Sequence, residues 1–459
     1  MTLTLSSESI VAAVAKLSFR TEAFVDAKFQ PARSGRTFPT ENPANGKTIT
    51  HVAACEAEDV DLAVRSARKA FESGVWSKMR PVDRKKTLLA FADRLEAHAD
   101  EIALLDSLEA GKPISDCVNG DIPDTIHCIR WHAELIDKLY DRIAPAPAEN
   151  LALILREPVG VVGAVIPWNF PAQMAAWKIG PALAAGNSVV LKPAELTSLS
   201  AIRMAELAAD AGLPPGVFNV VPGLGETAGQ AIGRHPDIDM AAFTGSTEVA
   251  RYFLKYSAES NLKRVILECG GKSPQLVLAD PPDLDLVAQN ALNAAFWNMG
   301  ENCSCGSRLI VHRSVKDALL ARIEKLVRTW TVGNPQDPAT RVGPMIEKPH
   351  LDKVLGYIAA GKSGGGGLCD PGEDGRLPDQ PGRAWLDPFG QHRRVLRIDS
   401  AGAAPGAADY AERRGRPSTG CGWSQCRLHP RCRRLLPAGR AIGGCWSHVG
   451  GALLLAAEA

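Results

Sequence analysis

The chain has 459 residues with a formal net charge of +1, and its apolar and charged contents are 45% and 22%. This length predicts two or three domains, while the balanced charge offers no electrostatic basis for binding nucleic acid or an anionic membrane. No apolar run approaches the ~20 residues of a membrane span, and Met1 is not followed by the basic and apolar pattern of a signal peptide.

The first part of the chain is predicted to form an N-terminal arm followed by four helices. Residues 1–50 have the pattern of extended segments. Apolar residues at helical spacing predict the first helix over 57–73, and a second helix starts after Pro81. The third ends at Gly111, a residue type that suits the C′ position, and the fourth covers 121–139.

Residues 140–157 change in character. An alternation of alanine and proline from Ala144 to Ala148 breaks helical structure, and Leu151 to Leu155 has the pattern of a strand. We expect a hairpin that projects from the rest of the chain.

From Pro158 to Tyr256, β-rich segments alternate with helical ones. The predicted strands are 159–166, 188–191, 217–221 and 240–243, and the predicted helices are 172–185, 198–211, 226–232 and 246–256. This alternation indicates βαβ units and an open parallel sheet, in which ligands bind at the carboxyl ends of the strands. The first binding candidates therefore follow the strands: Trp168, Asn169, Lys192, Pro193, Glu195, Gly223, Gly225, Thr244, Gly245 and Ser246.

No GxGxxG motif is present, because the glycine after Gly223 and Gly225 comes too late, at Gly229. The stretch from Thr244 to Thr247 ends a predicted strand and opens a helix, where free backbone N–H groups and the helix dipole suit a pyrophosphate. A plain N-cap explains these residues equally well.

The stretch 298–308 carries two cysteines between a predicted helix, 284–297, and a predicted strand, 309–312. Cys303 or Cys305 is a candidate nucleophile, although a buried, inert thiol is the commoner role for a free cysteine. Neither cysteine has the companion ligands of a metal site. Eleven cysteines without a regular framework suit a reduced cytoplasm better than a disulfide scaffold.

Five motifs occur in order along the chain. They are Pro167-Trp168-Asn169-Phe170-Pro171, Leu191-Lys192-Pro193-Ala194-Glu195, Phe243-Thr244-Gly245-Ser246, Glu268-Cys269-Gly270-Gly271-Lys272-Ser273-Pro274 and Gly300-x-x-Cys303-x-x-Gly306-Ser307-Arg308. In order and spacing they resemble the NAD(P)-dependent aldehyde dehydrogenase superfamily over about residues 20–363. The stretch 121–139 is similar to the subgroup that oxidises aminoaldehydes such as γ-glutamyl-aminobutyraldehyde.

The resemblance implies an α/β fold. A Rossmann-type NAD-binding domain would comprise 1–139 and 158–267, and an oligomerisation hairpin would comprise 140–157. The α/β catalytic domain would begin at 268 and keep its family-like part up to 363. A homodimer or homotetramer is implied for an intact C-terminus.

The resemblance also implies the catalytic roles. Cys303 would add to the aldehyde carbon to form a thiohemiacetal, since the glycine and Ser-Arg registers favour it over Cys305. Asn169 would donate its amide to the oxyanion with the backbone N–H of Cys303, although a turn residue before Phe170 is the bland alternative. After hydride transfer, Glu268 would activate water to hydrolyse the thioester, which disfavours a CoA-acylating relative.

For the cofactor, Lys192 and Glu195 would hold the adenosine ribose hydroxyls. A carboxylate repels a 2′-phosphate, so the resemblance implies NAD rather than NADP. The rest of the cofactor site would be formed by Trp168, Gly225, Gly245 and Ser246.

An aldehyde tunnel is implied along the helix that begins near Pro171, with core packing as the alternative. Asp121 and Asp124 could place two carboxylates at its mouth and attract a cationic amine, or they could simply complement a helix dipole. The tunnel wall would be formed by Phe170, Gln173, Met174 and Trp177.

After Ser363 the resemblance ends. Residues 364–459 contain 13 arginines, 18 glycines, 8 prolines and 5 cysteines but no lysine. A shifted reading frame explains this composition, with a natural disordered tail as the alternative. We predict a chain that is poorly folded after about residue 360 and has little or no activity, because apolar surface of the catalytic domain would lack its neighbours. A non-catalytic nucleotide-binding or assembly subunit derived from an aldehyde dehydrogenase is therefore the second functional hypothesis.

Overall fold

The computed structural model of this chain describes residues 6–363. The predictions made for residues 364–459 lie outside this range. In chain order the strands are β1 (Ala23–Val25), β2 (Lys28–Gln30), β3 (Thr37–Asn42), β4 (Lys47–Ala53), β5 (Arg142–Ala144), β6 (Ala152–Ile154), β7 (Val161–Val165), β8 (Ser188–Lys192), β9 (Phe218–Val220), β10 (Met240–Gly245), β11 (Arg264–Cys269), β12 (Pro274–Val277) and β13 (Arg308–Val311).

The helices surround these strands, and none within the described range is both long and apolar enough to cross a bilayer. They are α1 (Ser7–Val14), α2 (Ala57–Ser73), α3 (Pro81–Ala97), α4 (Ala99–Ala110), α5 (Ile114–Asp116), α6 (Ile122–Leu135), α7 (Pro171–Ala184), α8 (Leu199–Asp210), α9 (Gln230–Arg234), α10 (Thr247–Ala258), α11 (Leu284–Phe296), α12 (Arg313–Val327) and α13 (Lys348–Ser363).

The main sheet has seven strands in the order β11-β10-β7-β8-β9-β1-β2. The strands from β7 to β11 are mutually parallel, and every residue of β7 and β8 is buried, as expected for strands covered on both faces. The chain runs outward from β7 to β9 and then returns to β10 on the other side of β7. The switch point of this parallel sheet therefore lies between β7 and β10, where a crevice for ligands is expected.

The predicted N-terminal arm is only partly extended. It contains the helix α1, and β1 and β2 join the main sheet rather than forming a separate arm: β1 pairs antiparallel with β9, and β2 pairs antiparallel with β1. Phe24 and Val25 are buried there. The sequence pattern alone did not indicate this pairing, because it depends on a strand that lies almost 200 residues further along the chain.

Two predicted helices begin with π-helical turns, over Cys117–Asp121 before α6 and over Gly225–Gly229 before α9. The predicted helix 121–139 is also shorter than expected, because α6 ends at Leu135. Pro123 lies in the first turn of α6, where the missing N–H of proline costs nothing.

A second sheet holds the cysteine stretch. Strands β12 and β13 pair in parallel and are connected through α11, and their apolar cluster is centred on Val277, Ala288 and Leu319. The loop that carries Cys303 therefore lies between the end of α11 and the start of β13. The division into a cofactor domain and a catalytic domain remains a prediction.

The hairpin expected in 140–157 consists of β5 and β6, which pair antiparallel with Arg142 opposite Ile154. Ile143 and Leu153 are 72% and 54% exposed. A role of this hairpin in oligomerisation remains a prediction.

Candidate active site

The backbone is left-handed for three consecutive residues just before the cysteine loop. The φ angles of Asn298, Met299 and Gly300 are +52°, +56° and +75°. Left-handed conformations cost about 1–2 kcal/mol for a residue with a side chain, with asparagine among the more tolerant types. This turn ends α11 sharply and directs the following residues toward the loop after β7, where Asn169 lies.

Exposure separates the two candidate nucleophiles. Cys303 is exposed, whereas Cys305 is buried and its thiol donates to the carbonyl oxygen of Ala294 at 3.1 Å. Burial raises the pKa of the Cys305 thiol. Cys303 is therefore the cysteine of this loop that a solvent-borne electrophile can reach.

The loop after β11 packs directly on the backbone of Cys303. A Cβ atom on Gly271 would lie 3.2 Å from the carbonyl oxygen of Cys303, whereas one on Gly270 would have no atom within 4 Å. Glu268 is exposed near the carboxyl end of β11. The glycines after Glu268 therefore allow close approach at one position and leave open space at the other.

Lys178, on α7, faces the same end of β11 and was not indicated by the sequence. Burial lowers the pKa of the Lys178 ammonium, and the carboxylate of Glu268 opposes this shift. An ammonium group is thus within electrostatic range of the predicted general base.

Asn169 is tied to the cysteine loop by both its side chain and its backbone. Its Nδ2 donates to the carbonyl oxygen of Glu301 at 2.5 Å. Its own carbonyl oxygen accepts from Nδ2 of Asn298 at 3.1 Å and from Nζ of Lys112 at 3.2 Å. The predicted oxyanion donor and the predicted nucleophile therefore lie on loops that are joined by hydrogen bonds.

Lys112, Asn298 and Glu301 were missed by the sequence analysis. Lysine after a helix-ending glycine is usually solvated, so Lys112 gave no signal. Only the asparagine at 298, two residues before Gly300, hints at a left-handed turn. The Glu301 side chain is only 2% exposed, and burial raises its pKa to about 8. One of its oxygens accepts from the backbone N–H of Ile346 at 3.3 Å.

The cofactor candidates meet at one edge of the main sheet, because they follow neighbouring parallel strands. Lys192 ends β8 and is buried, and its Nζ contacts Oε2 of Glu195 at 3.2 Å. Burial lowers the pKa of the Lys192 ammonium, while Glu195 and Glu226 oppose this shift. Gly245 ends β10, the neighbour of β7, two residues beyond the predicted end of this strand.

Ser246 acts as the N-cap of α10. Its Oγ accepts from the backbone N–H of Val249 at 3.2 Å, so the plain cap considered from the sequence is present. The capping hydroxyl accepts a hydrogen bond from one of the backbone N–H groups in the first turn of the helix. Other N–H groups of this turn have no partner within the helix.

The residues at this edge fit a dinucleotide. The Lys192 ammonium and the Glu195 carboxylate, with 40% of the Glu195 side chain exposed, form a donor and acceptor pair suited to a ribose diol. The buried Oγ1 of Thr244 has no hydrogen-bond partner among the described residues. A Cβ atom on Gly225 would have open space around it. Trp168 borders the edge with its ring 5.3 Å from that of His350.

The predicted tunnel residues are divided by their burial. Phe170 and Met174 are each 5% exposed and belong to the main apolar core, in agreement with the alternative of core packing. Their role in a tunnel wall remains a prediction. Trp177 is 37% exposed. Gln173 is buried and its amide donates to the carboxylate of Asp124.

The expected pair of carboxylates at a tunnel mouth is wrong for Asp121. Asp121 ends a π-helical turn, is 1% exposed and forms an ion pair with the fully buried Lys112. A buried carboxylate needs such a partner, and the partner could not be identified from helical spacing. Asp124 is only half-buried.

Comparison with known proteins identifies the family. The model of the aldehyde dehydrogenase family matches residues 29–388. An aminoacetaldehyde dehydrogenase from Pseudomonas aeruginosa is 57% identical over 358 residues, which cover 78% of this chain and 72% of that protein. The NADP/NAD-dependent aldehyde dehydrogenase PuuC from Escherichia coli is 46% identical over 77% of this chain and 72% of its own length.

Solved structures agree with this result. A mutant of the Pseudomonas syringae indole-3-acetaldehyde dehydrogenase AldA, in complex with NAD+, superposes with a TM-score of 0.78 and 49% identity over 79% of this chain and 73% of that chain. The γ-glutamyl-γ-aminobutyraldehyde dehydrogenase from Burkholderia cenocepacia has a TM-score of 0.77 and 50% identity over 78% and 73% of the two chains. These matches confirm the resemblance seen in the motifs: the chain belongs to the aldehyde dehydrogenase family.

Proposed function

We propose that this chain carries the site of an NAD-dependent dehydrogenase that oxidises an aminoaldehyde to the carboxylic acid. The observation that supports this most directly is the exposed thiol of Cys303 on a loop that is hydrogen-bonded to Asn169. Nucleophile and oxyanion donor are thus held together before any substrate arrives, which is the arrangement that electrostatic catalysis requires.

In this proposal the thiolate of Cys303 adds to the carbonyl carbon, and the carbonyl oxygen becomes an oxyanion. The amide of Asn169 has two N–H groups, of which one donates to Glu301. The second makes no hydrogen bond within residues 6–363 and would donate to the oxyanion, together with the backbone N–H of Cys303. Loss of one such donor typically raises the barrier by roughly 3–4 kcal/mol.

Glu268 is the proposed general base for the second half of the reaction. Its carboxylate takes a proton from water, the oxygen of this water adds to the thioester carbon, and the C–S bond breaks to return the thiolate of Cys303. Lys178 on α7 lies within electrostatic range of this carboxylate.

NAD, when bound, supplies the hydride acceptor. Lys192 and Glu195 would hold its adenosine ribose, and the start of α10 at Gly245 and Ser246 would carry its pyrophosphate. The Glu195 carboxylate would repel a 2′-phosphate, which favours NAD over NADP. Trp168 and Gly225 would border the same cleft.

An aminoaldehyde is proposed because two similar proteins are named for such substrates, aminoacetaldehyde and γ-glutamyl-γ-aminobutyraldehyde. With Asp121 buried, Asp124 beside Gln173 is the remaining carboxylate of the predicted pair that could attract an amine. A tunnel along Phe170, Met174 and Trp177 remains part of this proposal.

A cytoplasmic homo-oligomer is the proposed state of the protein. Its hairpin β5–β6 carries exposed apolar side chains, which suits a contact with a second copy. Sedimentation of the purified chain tests this, with Leu153→Asp as the disruptive variant. A chain that sediments as a monomer at micromolar concentration would contradict the proposal.

Whether the chain turns over substrate is a separate question, because residues 364–459 have an unusual composition. We predict little or no activity, and robust aldehyde-dependent NADH formation by purified protein would contradict this. The composition also favours a second candidate function, a nucleotide-binding or assembly subunit without catalysis. NAD binding by calorimetry is expected from both candidates.

The two candidates differ at Cys303. We expect an aminoaldehyde to protect Cys303 from iodoacetamide in the enzyme, because the thiohemiacetal blocks the sulfur. Mass spectrometry of the peptide that contains Cys303 measures this. Unchanged alkylation at all aldehyde concentrations, together with NAD binding, would support the non-catalytic subunit.

A further inference from the structure

Lys112 is buried without any exposed surface, next to the site and not in it. An ammonium group loses several kcal/mol of hydration when it is buried, so it persists only where partners compensate. Its pocket is formed by the π-helical turn before α6, the loop after β7 and the aromatic rings around it. The partners of the Lys112 ammonium group indicate its role.

Three partners surround Nζ. The carboxylate of Asp121 forms the ion pair. The carbonyl oxygen of Asn169 accepts at 3.2 Å. The centroid of the Phe170 ring lies 3.6 Å away, which is cation–π distance.

We propose that Lys112 is a positioning residue, which holds the main chain of Asn169 and thereby aims its side-chain amide at the oxyanion. This inference rests on the proposed function, in which Asn169 stabilises the thiohemiacetal. Asp121 supplies the countercharge that keeps the ammonium in place. Neither residue touches the substrate.

The geometry of Asn169 explains why such a hold matters. Its carbonyl oxygen accepts two hydrogen bonds, from Lys112 on one side and Asn298 on the other, and its amide donates to the loop of Cys303. A donor contributes to the reaction only when it is aligned before charge develops. Without Lys112, one of the two restraints on this peptide group is lost.

The decisive comparison uses the unsubstituted full chain and the full chain with Asp121→Asn plus Lys112→Met. The double variant removes the ammonium together with its countercharge, so neither protein leaves an unpaired charge buried. The readout is the aminoaldehyde concentration that halves the alkylation rate of Cys303. We expect it to rise about tenfold when Lys112 is replaced.

NAD affinity, melting temperature and the alkylation rate without aldehyde test for a general loss of structure and should change little. In an Asn169→Ala background, the effect of Lys112→Met should disappear, because Lys112 acts through that residue. Lys112→Leu removes the ammonium with a different apolar side chain. It replaces Lys112→Met in the comparison if the methionine variant does not fold.

An equal half-protecting concentration with and without Lys112 would overturn the inference, and so would a tenfold effect that persists in the Asn169→Ala background. A parallel loss of NAD binding and of melting temperature would also overturn it, since that pattern means a structural role alone. If aldehyde fails to protect even the unsubstituted chain, the proposed function of Cys303 itself is wrong, and this inference falls with it.

Discussion

The carbonyl oxygen of Cys303 lies 3.2 Å from the position that a Cβ atom on Gly271 would occupy. The loop after β11 therefore lies so close to the loop of the nucleophile that a side chain at this position would require a shift of a few tenths of an ångström. Gly270, its immediate neighbour, faces open space. The two glycines provide a matched pair in which the same substitution should change the reactivity of Cys303 at one position and leave it unchanged at the other.

Gly271→Ala should slow the alkylation of Cys303 severalfold, since the new methyl group pushes the Cys303 backbone away from its position. Gly270→Ala should leave the rate unchanged. The second-order rate constant with iodoacetamide measures both. Equal rates in the two variants would contradict the close packing of these loops.

Cys303 should react with iodoacetamide well before Cys305. Cys303 is exposed, while burial raises the pKa of the Cys305 thiol and lowers its thiolate fraction. Peptide mass spectrometry at partial labelling gives the ratio, which we expect to exceed about ten. Cys303→Ala should remove the fast phase and Cys305→Ala should retain it, and the reverse result would move the nucleophile to Cys305.

Glu195→Gln should weaken the preference for NAD over NADP about tenfold, because like charges in contact cost several kcal/mol and this substitution removes one of them. Calorimetric titration with both dinucleotides gives the ratio. Glu226→Gln is the control, since this carboxylate also acts on Lys192 and makes no hydrogen bond to it among the described contacts. If the unsubstituted chain, Glu195→Gln and Glu226→Gln all had the same preference for NAD over NADP, Glu195 would not be the residue that sets this preference.

Glu301→Gln should stabilise the protein increasingly as the pH rises from 5 to 8. Burial raises the pKa of Glu301 to about 8, so in this window the folded protein keeps a proton that the unfolded chain releases. The unfolded state binds fewer protons, and the free energy of unfolding falls as the pH rises. Glutamine is always neutral, so the variant does not lose stability in this way as the pH rises.

Thermal unfolding at several pH values measures the effect. The melting temperature of the variant should exceed that of the unsubstituted chain by a few degrees at pH 8 and by little at pH 5. Glu324→Gln, at a carboxylate whose side chain is 78% exposed, is the control for the same substitution away from the site. A difference for Glu301 that shrinks with rising pH would mean that its carboxylate is stabilised as the anion.

Local patterns were sufficient to predict most of the main sheet. The segments around β7, β8 and β10 were predicted within a few residues, because apolar runs bounded by glycine and proline are local signals. The pairing of β1 with β9 and the π-helical turns before α6 and α9 were not predicted. The partner of a strand and the type of a helical turn depend on contacts with residues that are far away in the sequence. Such contacts produce no periodic pattern in the local sequence.

The sequence by itself determined the family and the order of its motifs, since these are written in consecutive residues. Only the tertiary structure decided that Asp121 is buried against Lys112, and that Lys112 and Asn298 share the carbonyl oxygen of Asn169. Asn298 is 129 residues away from Asn169 along the chain. Such contacts arise when buried polar groups must find partners wherever the fold brings them, and no local pattern records that requirement.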